Sequence, residues 1–241
     1  MHNAAFRHLK IPYLYVPFHV KPSDLAESAG AIRSLQIHGI NVTLPHKETI
    51  VGHLDVLSEN ARLCNAVNTV VNRDGKLYGD NTDGQGFLRS LNERGRKVTN
   101  QRALLIGAGG ASRSVLVALI QAGCLQVTIV NRNIRRAEEL AQAYQNLGQT
   151  EVTVASLNDA ADPALLSPMS LVVNGLPGHV QKDCLPTLPY EATTRRCLFY
   201  DLFYQTLPTA FLVGAQQAQR PLMDGSRLLL HQGALAFKLW T

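Results

Sequence analysis

The chain alternates between short runs rich in β-branched and aromatic residues and longer segments whose apolar positions recur every three or four residues. The first pattern is typical of β-strands and the second of amphipathic helices. Strands are predicted at residues 13–18, 40–44, 68–72, 103–106, 126–130, 152–155, 170–173 and 197–201. Helices are predicted at residues 23–37, 84–93, 110–122 and 134–144. Because strands and helices alternate, we expect an α/β fold with parallel sheets.

A polar, glycine-containing segment interrupts this alternation. The sequence Glu93-Arg94-Gly95-Arg96-Lys97 ends one predicted helix directly before a new strand, which is typical of a junction between domains. The chain has 241 residues, of which 46% are hydrophobic and 17% charged, enough for one large core or two ordinary ones. We therefore expect a globular protein with a domain junction in this segment.

Composition limits the kinds of partner and site. The net charge is +5, but no basic run of five or more occurs, so the charge indicates either mild attraction of small anions or a merely solvated surface, not nucleic-acid binding. The four cysteines lack C-x-x-C spacing and the eight histidines lack an H-E-x-x-H motif, which predicts neither a disulfide framework nor a metal site, and favours reduced thiols in the cytoplasm. No apolar run approaches the roughly 20 residues of a membrane span, so we expect no membrane partner.

A glycine-rich turn, Gly107-Ala108-Gly109-Gly110-Ala111, lies between a predicted apolar strand and a helix. Glycines let the backbone approach a pyrophosphate, whose charge is met by the N–H groups at the start of the following helix. Ser112 stands where many such motifs carry a third glycine, and a turn of this kind taken alone can also be purely structural. Its position after a strand and before a helix predicts a dinucleotide site.

Arginines follow the next predicted strand, which ends in Asn131-Arg132-Asn133 with Arg135 and Arg136 close behind. An NAD enzyme carries an acidic residue for the ribose hydroxyls at this place, whereas arginine favours a 2′-phosphate. We therefore predict NADP as the cofactor. The alternative is an exposed basic start of a helix.

A lysine and a carboxylate follow two predicted strands: Lys47 ends the sequence N-V-T-L-P-H-K, and Asp83 lies in D-N-T-D-G. Loops at the carboxyl ends of strands are where α/β folds bind ligands. A lysine facing a carboxylate can hydrogen-bond a hydroxyl or carbonyl oxygen and pass a proton while a hydride moves at the adjacent carbon. Thr43 and Asn68 add neutral donors and acceptors suited to a polyhydroxylated ligand. The alternatives are a solvated lysine, an N-cap role for Asp83, and turn-capping roles for the other two.

Seven motifs, taken in order, resemble the shikimate dehydrogenase family: N-V-T-L-P-H-K, N-A-V-N-T, D-N-T-D-G, G-A-G-G-A-S-R, N-R, Y-D-L-F-Y and D-G-x-x-x-L-x-x-Q. The resemblance covers almost the whole chain. It implies two α/β domains: a substrate-binding domain at residues 1–95 and 224–241, and a Rossmann-type NADP-binding domain with a parallel sheet at residues 96–223.

The same resemblance implies a cytoplasmic oxidoreductase that reversibly reduces 3-dehydroshikimate to shikimate with NADP, on the route to chorismate and the aromatic amino acids. Its partner is a small molecule, and the chain is a monomer or a homodimer. Lys47 and Asp83 form the implied catalytic pair, with Lys47 as the acid/base, and both also contact the substrate. The further implied substrate contacts are Thr43, Asn68, Tyr204 and Gln232. The implied cofactor contacts are Gly107, Ala108, Gly109, Gly110, Ala111, Asn131, Arg132, Arg136, Leu202 and Gly225, the last two against the nicotinamide.

The chain also departs from the family pattern. In the family, a strand and a loop with two serines that hold the substrate carboxylate precede the equivalent of His2-Asn3, and a further helix usually follows the equivalent of Trp240-Thr241. We therefore expect an N-terminally shortened version, with unpaired strand edges and one uncovered face of a helix at residues 4–9. The loop at residues 174–179 is a residue shorter than usual, and Asn133 replaces a commoner threonine.

These departures leave two alternatives open. One is a quinate/shikimate dehydrogenase of broader specificity. The arginines after the second strand of the Rossmann-type domain argue against it, because they favour NADP and quinate oxidation is linked to NAD. The other is a catalytically silent relative that binds NADP or a metabolite. The joint presence of Lys47, Asp83 and Gln232 favours an enzyme, because a binding module does not need a proton-transfer pair.

Overall fold

The computed structural model describes residues 1–176 and 185–241, which form two compact units. The first unit contains Met1–Gly86 and Leu229–Thr241, and the second contains Phe87–Leu228. Among the helices of the described residues, none is both long enough and apolar enough to span a bilayer. The predicted α/β class is confirmed, since each unit has its own sheet with helices around it.

The sheet of the first unit is mixed. Its strands are β1 (Gly39–Asn41), β2 (Val56–Leu57), β3 (Thr69–Arg73) and β4 (Lys76–Asp80), in the order β1-β3-β4-β2. Strands β1 and β4 run antiparallel to β3, and β2 runs parallel to β4, so the expectation of parallel sheets is wrong here.

The turn between β3 and β4 explains this difference. It contains Asp74 and Gly75, which have φ angles of 51° and 84°. An Asp-Gly pair accepts positive φ at low cost and is a strong signal for a tight antiparallel hairpin. A parallel crossover would need a dozen or more residues between the two strands. The hairpin places the carboxyl end of β4 beside the start of β3.

Helices and an apolar core support this sheet. The helices of the first unit are α1 (His2–His8), α2 (Leu25–Ser34), α3 (Glu59–Cys64), the start of α4 (Asp83–Glu93) and most of α9 (Ser226–Trp240). The core consists of Leu25, Ile32, Val42, Ile50, Ala61, Val67, Val70 and Leu77. In addition, the indole Nε1 of Trp240 donates to the carbonyl oxygen of Val70 at 3.0 Å, which anchors α9 on the sheet.

The strand predicted at residues 13–18 does not form. The segment pairs with no strand in the described residues, and a strand requires a hydrogen-bonded neighbour. Side chains hold it instead: the Tyr15 N–H donates to Oδ1 of Asn3 at 2.7 Å, and the Tyr15 hydroxyl donates to Oδ1 of Asn41 at 3.0 Å. Leu14 and Phe18 are consequently 78% and 69% exposed. The run of apolar and aromatic residues alone was not enough to form a strand.

The sheet of the second unit is parallel throughout. Its strands are β5 (Arg102–Ile106), β6 (Gln126–Val130), β7 (Glu151–Ala155), β8 (Leu171–Asn174), β9 (Leu198–Asp201) and β10 (Leu222–Met223). Their order is β10-β9-β8-β5-β6-β7, so the chain proceeds outward in one direction from β5 and in the other from β8. In open α/β sheets, ligands bind at the carboxyl ends of strands where the order reverses in this way. The carboxyl ends of β5 and β8 therefore mark the expected ligand position.

A large apolar cluster forms the core of the second unit. Beyond the greater part of α4, the helices of this unit are α5 (Gly110–Gln121), α6 (Ile134–Tyr144), α7 (Pro163–Leu166) and α8 (Ala210–Gln217). Fully buried members of the cluster include Leu104, Ile106, Val172, Phe199 and Phe211. The cluster fixes the strands, so the loops at their carboxyl ends start from rigid positions.

The cysteines of the described residues, Cys64, Cys124 and Cys197, are buried and form no disulfide. Burial raises the pKa of the Cys124 thiol to about 11 and the pKa of the Cys197 thiol to about 12. Such thiols stay protonated at neutral pH and are poor nucleophiles. Cys184 lies outside the described residues.

Candidate active site

A largely buried ion pair joins Lys47 and Asp83 in the first unit. Nζ of Lys47 lies 2.6 Å from Oδ2 of Asp83, and the two side chains are 17% and 9% exposed. Salt screens such a pair much less than a pair on the surface, and its charges need further polar partners to offset desolvation. The interpretation of Lys47 as a solvated surface group therefore does not hold.

The turn at residues 44–48, which follows β1, positions Lys47. The carbonyl oxygen of Lys47 accepts a hydrogen bond from the Val67 N–H at 2.7 Å. Beside it, Nε2 of the buried His46 lies 2.9 Å from the carbonyl oxygen of Val20. These contacts hold the turn at two adjacent residues, so the backbone position from which the Lys47 side chain extends is fixed.

Asp83 is the first residue of α4, three residues after Asp80, the last residue of β4. Its N–H donates to Oδ1 of Asn81 at 3.1 Å, and Nδ2 of Asn81 in turn donates to the carbonyl oxygen of Ala66 at 3.0 Å. A carboxylate in the first turn is favoured by the positive end of the helix dipole. The oxygens of Asp83 accept from Lys47 and Asn68, so its carboxylate serves these side chains instead of acting as an N-cap.

Asn68 connects the ion pair to its surroundings. Its Nδ2 lies within donor distance of three acceptors: Oδ1 of Asp83 at 2.7 Å, Oγ1 of Thr82 at 3.0 Å and Oε1 of Gln232 at 3.3 Å. Its Oδ1 accepts from the Thr82 N–H at 2.9 Å, which fixes the orientation of the amide. Asn68 is 3% exposed, so these bonds form away from bulk water. The amide therefore holds one carboxylate oxygen while the other faces Lys47.

Gln232, on α9, is brought close to Asn68 by two residues that the sequence interpretation did not select. The hydroxyl of Thr82 donates to the carbonyl oxygen of Gln232 at 3.1 Å. A Cβ atom at Gly86 would lie 2.8 Å from both the Cβ and the backbone nitrogen of Gln232, so only glycine allows α4 and α9 to approach this closely. Thr82 lies inside the D-N-T-D-G motif and Gly86 just after it. The signal available in the sequence was that both residues lie within three positions of Asp83.

Thr43 lies just before this turn, and its carbonyl oxygen accepts from the His46 N–H at 2.9 Å. Its side chain is exposed and is not part of the hydrogen bonds that link Asn68, Asp83 and Gln232 in the described residues. Thr43 therefore faces solvent near the lysine turn.

The arrangement of Lys47, Asp83 and Asn68 can perform acid/base chemistry. An ammonium group can donate a hydrogen bond to a hydroxyl or carbonyl oxygen and transfer a proton to it. Asp83 supplies the counter-charge and restricts the position of the ammonium, while Asn68 fixes Asp83. Gln232 adds an amide whose Nε2 donates to the Leu229 carbonyl oxygen at 3.2 Å.

The glycine-rich turn of the second unit has the geometry of an anion site. Gly107 has a φ of 103°, which favours glycine, and its N–H donates to the carbonyl oxygen of Val130 at 2.8 Å. Gly109 occupies the N-cap of α5 without any side-chain hydrogen bond, and the space in which its Cβ would lie is open. An open space before the N-terminus of a twelve-residue helix suits a phosphate oxygen. The residues present therefore fit a dinucleotide.

Ser112, in place of a third glycine, fits between two loops. Its Oγ is fully buried and has no hydrogen-bond partner in the described residues. A Cβ at Gly107 would lie 3.2 Å from this oxygen, and a Cβ at Gly175 would collide with it. The missing side chains of these two glycines leave the room that the serine needs, so the departure does not close the turn.

The basic residues after β6 lie at the start of α6. Nδ2 of Asn131 donates to the Asn133 carbonyl oxygen at 2.8 Å, and Oδ1 of Asn133 accepts from the Arg136 N–H at 3.4 Å, which caps the helix. Arg132, Arg135 and Arg136 have exposed side chains. Positive charge is unfavourable at a helix N-terminus, where the dipole is also positive. A bound anion would relieve this repulsion.

Leu202 and Gly225 are brought together at the carboxyl end of β9. A Cβ at Gly225 would collide with the carbonyl oxygen of Leu202, and the Gly225 N–H donates to the Phe203 carbonyl oxygen at 3.1 Å. Glycine is therefore required by close backbone approach. Tyr204, two residues beyond Leu202, is 50% exposed.

Two further predictions concern the loop after β8 and metal binding. Oδ1 of Asn174 accepts from the Leu176 N–H at 3.2 Å, and the remainder of the loop predicted to be short, from Pro177 onward, lies outside the described residues. The described residues contain no group of three or more His, Cys, Asp and Glu side chains arranged for a metal ion.

Comparisons with known proteins point to one family. Residues 1–70 match the family described as the shikimate dehydrogenase substrate binding domain, and residues 90–168 match the family described as shikimate / quinate 5-dehydrogenase. The whole chain is 41% identical over 244 residues to the shikimate dehydrogenase (NADP(+)) of Desulforamulus reducens, of which it covers 84%. It is 42% identical over 245 residues to that of Moorella thermoacetica, of which it covers 82%.

A solved structure agrees with these relatives. The shikimate 5-dehydrogenase of Thermus thermophilus, in complex with NADP(H) and shikimate, superposes with a TM-score of 0.86 at 34% identity. The match covers 100% of this chain and 86% of that chain. Sequence and fold therefore agree on the same relatives.

Proposed function

The chain belongs to the shikimate dehydrogenase family, and we propose that Lys47 and Asp83 carry the chemistry of its reaction. That reaction is the NADP-dependent, reversible reduction of 3-dehydroshikimate to shikimate, a step toward chorismate and the aromatic amino acids. The observation that carries the residue assignment is the 2.6 Å ion pair, held by Asn68 inside a largely buried network.

In the direction of reduction, Lys47 donates a proton to the carbonyl oxygen of the substrate as that oxygen becomes a hydroxyl. In the reverse direction, the neutral amine takes the proton back from the hydroxyl. NADPH, when bound, supplies the hydride to the same carbon. Asp83 keeps the ammonium in place and accepts a hydrogen bond from a substrate hydroxyl. General acid/base catalysis of this kind contributes about 10²- to 10⁴-fold to the rate.

Three further residues of the first unit complete the substrate assignment. Asn68, Gln232 and Thr43 supply neutral hydrogen-bonding groups for the hydroxyl and carboxylate groups of the substrate. Tyr204 stays a prediction of the family resemblance. The first unit is accordingly the substrate-binding domain and the second the NADP-binding domain. Because the reaction belongs to biosynthesis and the described cysteines form no disulfide, we place the enzyme in the cytoplasm.

The residues proposed to hold NADP all belong to the second unit. The turn from Gly107 to Ala111 binds the pyrophosphate through backbone N–H groups at the start of α5. Asn131, Arg132 and Arg136 bind the adenosine 2′-phosphate. Leu202 and Gly225 pack against the nicotinamide.

The proposed reaction is tested by following NADPH absorbance with shikimate and NADP as substrates, and then with quinate in place of shikimate. We expect turnover with shikimate and much slower turnover with quinate. Turnover with neither substrate would contradict the proposed enzymatic function. Equal turnover with both would instead support a dehydrogenase of broader specificity, which the family description shikimate / quinate 5-dehydrogenase includes.

The cofactor assignment predicts a selective effect of Arg132→Ala. Loss of a charged hydrogen bond costs about 1.5–3 kcal/mol, so the Kd for NADP should rise roughly ten- to a hundredfold. NAD lacks the 2′-phosphate, so its Kd should change little. Titration of both cofactors by fluorescence or calorimetry measures the difference.

Arg135→Ala is the matched control, because Arg135 is an exposed arginine of the same helix start and is not assigned to the phosphate. We expect a weaker effect that reflects only the general positive charge. Equal weakening of NADP and NAD by Arg132→Ala would show that Arg132 does not recognise the phosphate.

A further inference from the structure

A fully buried carboxylate, Asp201, ends strand β9 in the second unit. Its Oδ1 accepts from the Phe203 N–H at 3.0 Å, and its Oδ2 accepts from the Thr209 hydroxyl at 2.6 Å and from Nδ2 of Asn174 at 3.2 Å. A buried carboxylate is costly unless it is hydrogen-bonded, so these donors must stay in place for the charge to be tolerated. The carboxylate in turn fixes the positions of the groups that donate to it.

Two of these donors are the ends of one segment, residues 203–209. Phe203 is its first residue and Thr209 its last, and both bind the same carboxyl group. The hydroxyl of Thr209 also accepts from the Leu212 N–H at 3.4 Å and caps α8. Asp201 therefore clamps the 203–209 segment at both ends and connects it to the start of a helix.

Apolar packing contributes little to holding this segment between its ends. Tyr204 is 50% exposed and Leu207 is 73% exposed. A cavity of about 310 Å³ lies beside the segment, and Phe203 and residues 205–209 form part of its wall. Since one side of the segment faces a cavity and much of the rest faces solvent, the hydrogen bonds at its ends decide its position.

The third donor, Asn174, extends the clamp to a neighbouring strand. Asn174 ends β8, its carbonyl oxygen accepts from the Leu202 N–H at 2.9 Å, and its Oδ1 accepts from the Leu176 N–H at 3.2 Å. Strand β8 lies between β9 and β5, the strand that leads into the glycine-rich turn. Asp201 thus fixes Leu202 and the start of the loop after β8 together.

We infer that Asp201 is a positioning residue for hydride transfer: it touches neither substrate nor cofactor but holds Leu202 and the 203–209 segment where the nicotinamide is proposed to bind. The inference rests on the proposed function, because it takes from there the contact between Leu202 and the nicotinamide. It predicts that disturbing the clamp impairs the reaction while leaving the adenosine end of the cofactor bound.

The test is Asp201→Asn, which keeps the shape but replaces one carboxylate oxygen with an NH₂ group, so that either the Phe203 N–H or the donors of Asn174 and Thr209 lose their acceptor. We expect kcat to fall about a hundredfold, as a displacement of about 1 Å at a reacting group does. The Kd for NADPH should change by no more than about threefold, since the arginines after β6 are untouched. Thermal melting and circular dichroism establish that the variant is folded at the assay temperature.

A transposed variant, Asn174→Asp combined with Asp201→Asn, separates positioning from a general structural defect. In this variant the amide NH₂ of residue 201 donates to the carboxylate of residue 174, which reverses the wild-type hydrogen bond. We therefore expect it to regain much of the lost kcat. A matched pair at the other end of the segment is Thr209→Val and Thr209→Ser: only the serine keeps the hydroxyl that binds Asp201, so we expect about a tenfold loss of kcat for valine and nearly full activity for serine.

A kcat within about twofold of wild type in folded Asp201→Asn would overturn the inference, as would equal losses of kcat and NADPH affinity without recovery in the transposed variant. If Asp201→Asn does not fold, the Thr209 pair decides, and valine equal to serine would overturn it. Absence of shikimate turnover in the wild-type chain would instead remove the proposed function, so the two failures are distinguishable.

Discussion

Replacing Lys47 with methionine is expected to lower kcat by about three orders of magnitude while leaving NADP binding nearly unchanged, because the variant loses the proposed proton donor and keeps the length of the side chain. Lys47 and Asp83 belong to the first unit, whereas the residues proposed to bind NADP belong to the second. Steady-state kinetics with shikimate and a separate titration with NADP measure the two effects.

Two control variants test whether the loss of kcat is specific to the proton of Lys47. Lys76→Met makes the same change at an exposed lysine of β4, and we expect wild-type kinetics. Lys47→Arg keeps a positive charge but cannot release a proton at neutral pH, so it should be nearly as slow as Lys47→Met. A large loss of NADP affinity in Lys47→Met, or substantial activity in Lys47→Arg, would contradict the role of Lys47 as the acid/base.

Replacing Asp83 with asparagine should lower kcat by about a hundredfold, the lower end of the acid/base contribution, because the donor remains but is no longer held. In the wild type, Oδ2 of Asp83 binds Lys47 and Oδ1 binds Asn68. The amide can still accept from Asn68, but it offers an NH₂ group or a neutral oxygen to the ammonium. The largely buried lysine then lacks its counter-charge and its fixed position.

Asp74→Asn is the matched control for Asp83→Asn, since Asn-Gly forms the β3–β4 turn as readily as Asp-Gly. A double variant, Lys47→Met with Asp83→Asn, tests whether the two residues act as a unit. If they do, its kcat should be close to that of Lys47→Met alone, because the contribution of Asp83 to the proton transfer passes through the lysine and its contact with a substrate hydroxyl affects KM. Multiplicative losses, or a kcat of Asp83→Asn within about threefold of wild type, would contradict this coupling.

The sequence predicted the second unit more closely than the first. Strand β6 and helix α6 were predicted with the observed bounds, because each carries a strong periodic pattern and ends at a polar boundary. The glycine-rich turn was also recognisable, since its positive φ and close backbone approach leave only glycine at defined positions. These features depend on neighbours in the chain, which a local pattern records.

In the first unit, long-range pairing overrode the local pattern. Residues 13–18 have the apolar and aromatic composition of a strand but pair with no strand in the described residues, and the β3–β4 hairpin replaced the expected parallel arrangement. The pattern of side chains states which face of a strand is apolar, but not which backbone lies beside it.

The chain by itself determined the chemistry available: a lysine, a carboxylate, an asparagine, a glutamine and a glycine-rich turn, each placed by motif next to a predicted strand or on a helix. Only the tertiary structure decided which of them meet. Asn68 and Gln232 are separated by 164 positions, and they come within 3.3 Å because Gly86 and Thr82 bring α9 against α4. Likewise, Asp201 became a candidate only once its carboxylate was seen to bind both ends of one segment. Hydrogen bonds and close backbone approach between distant residues arise from packing, and no local sequence pattern encodes packing.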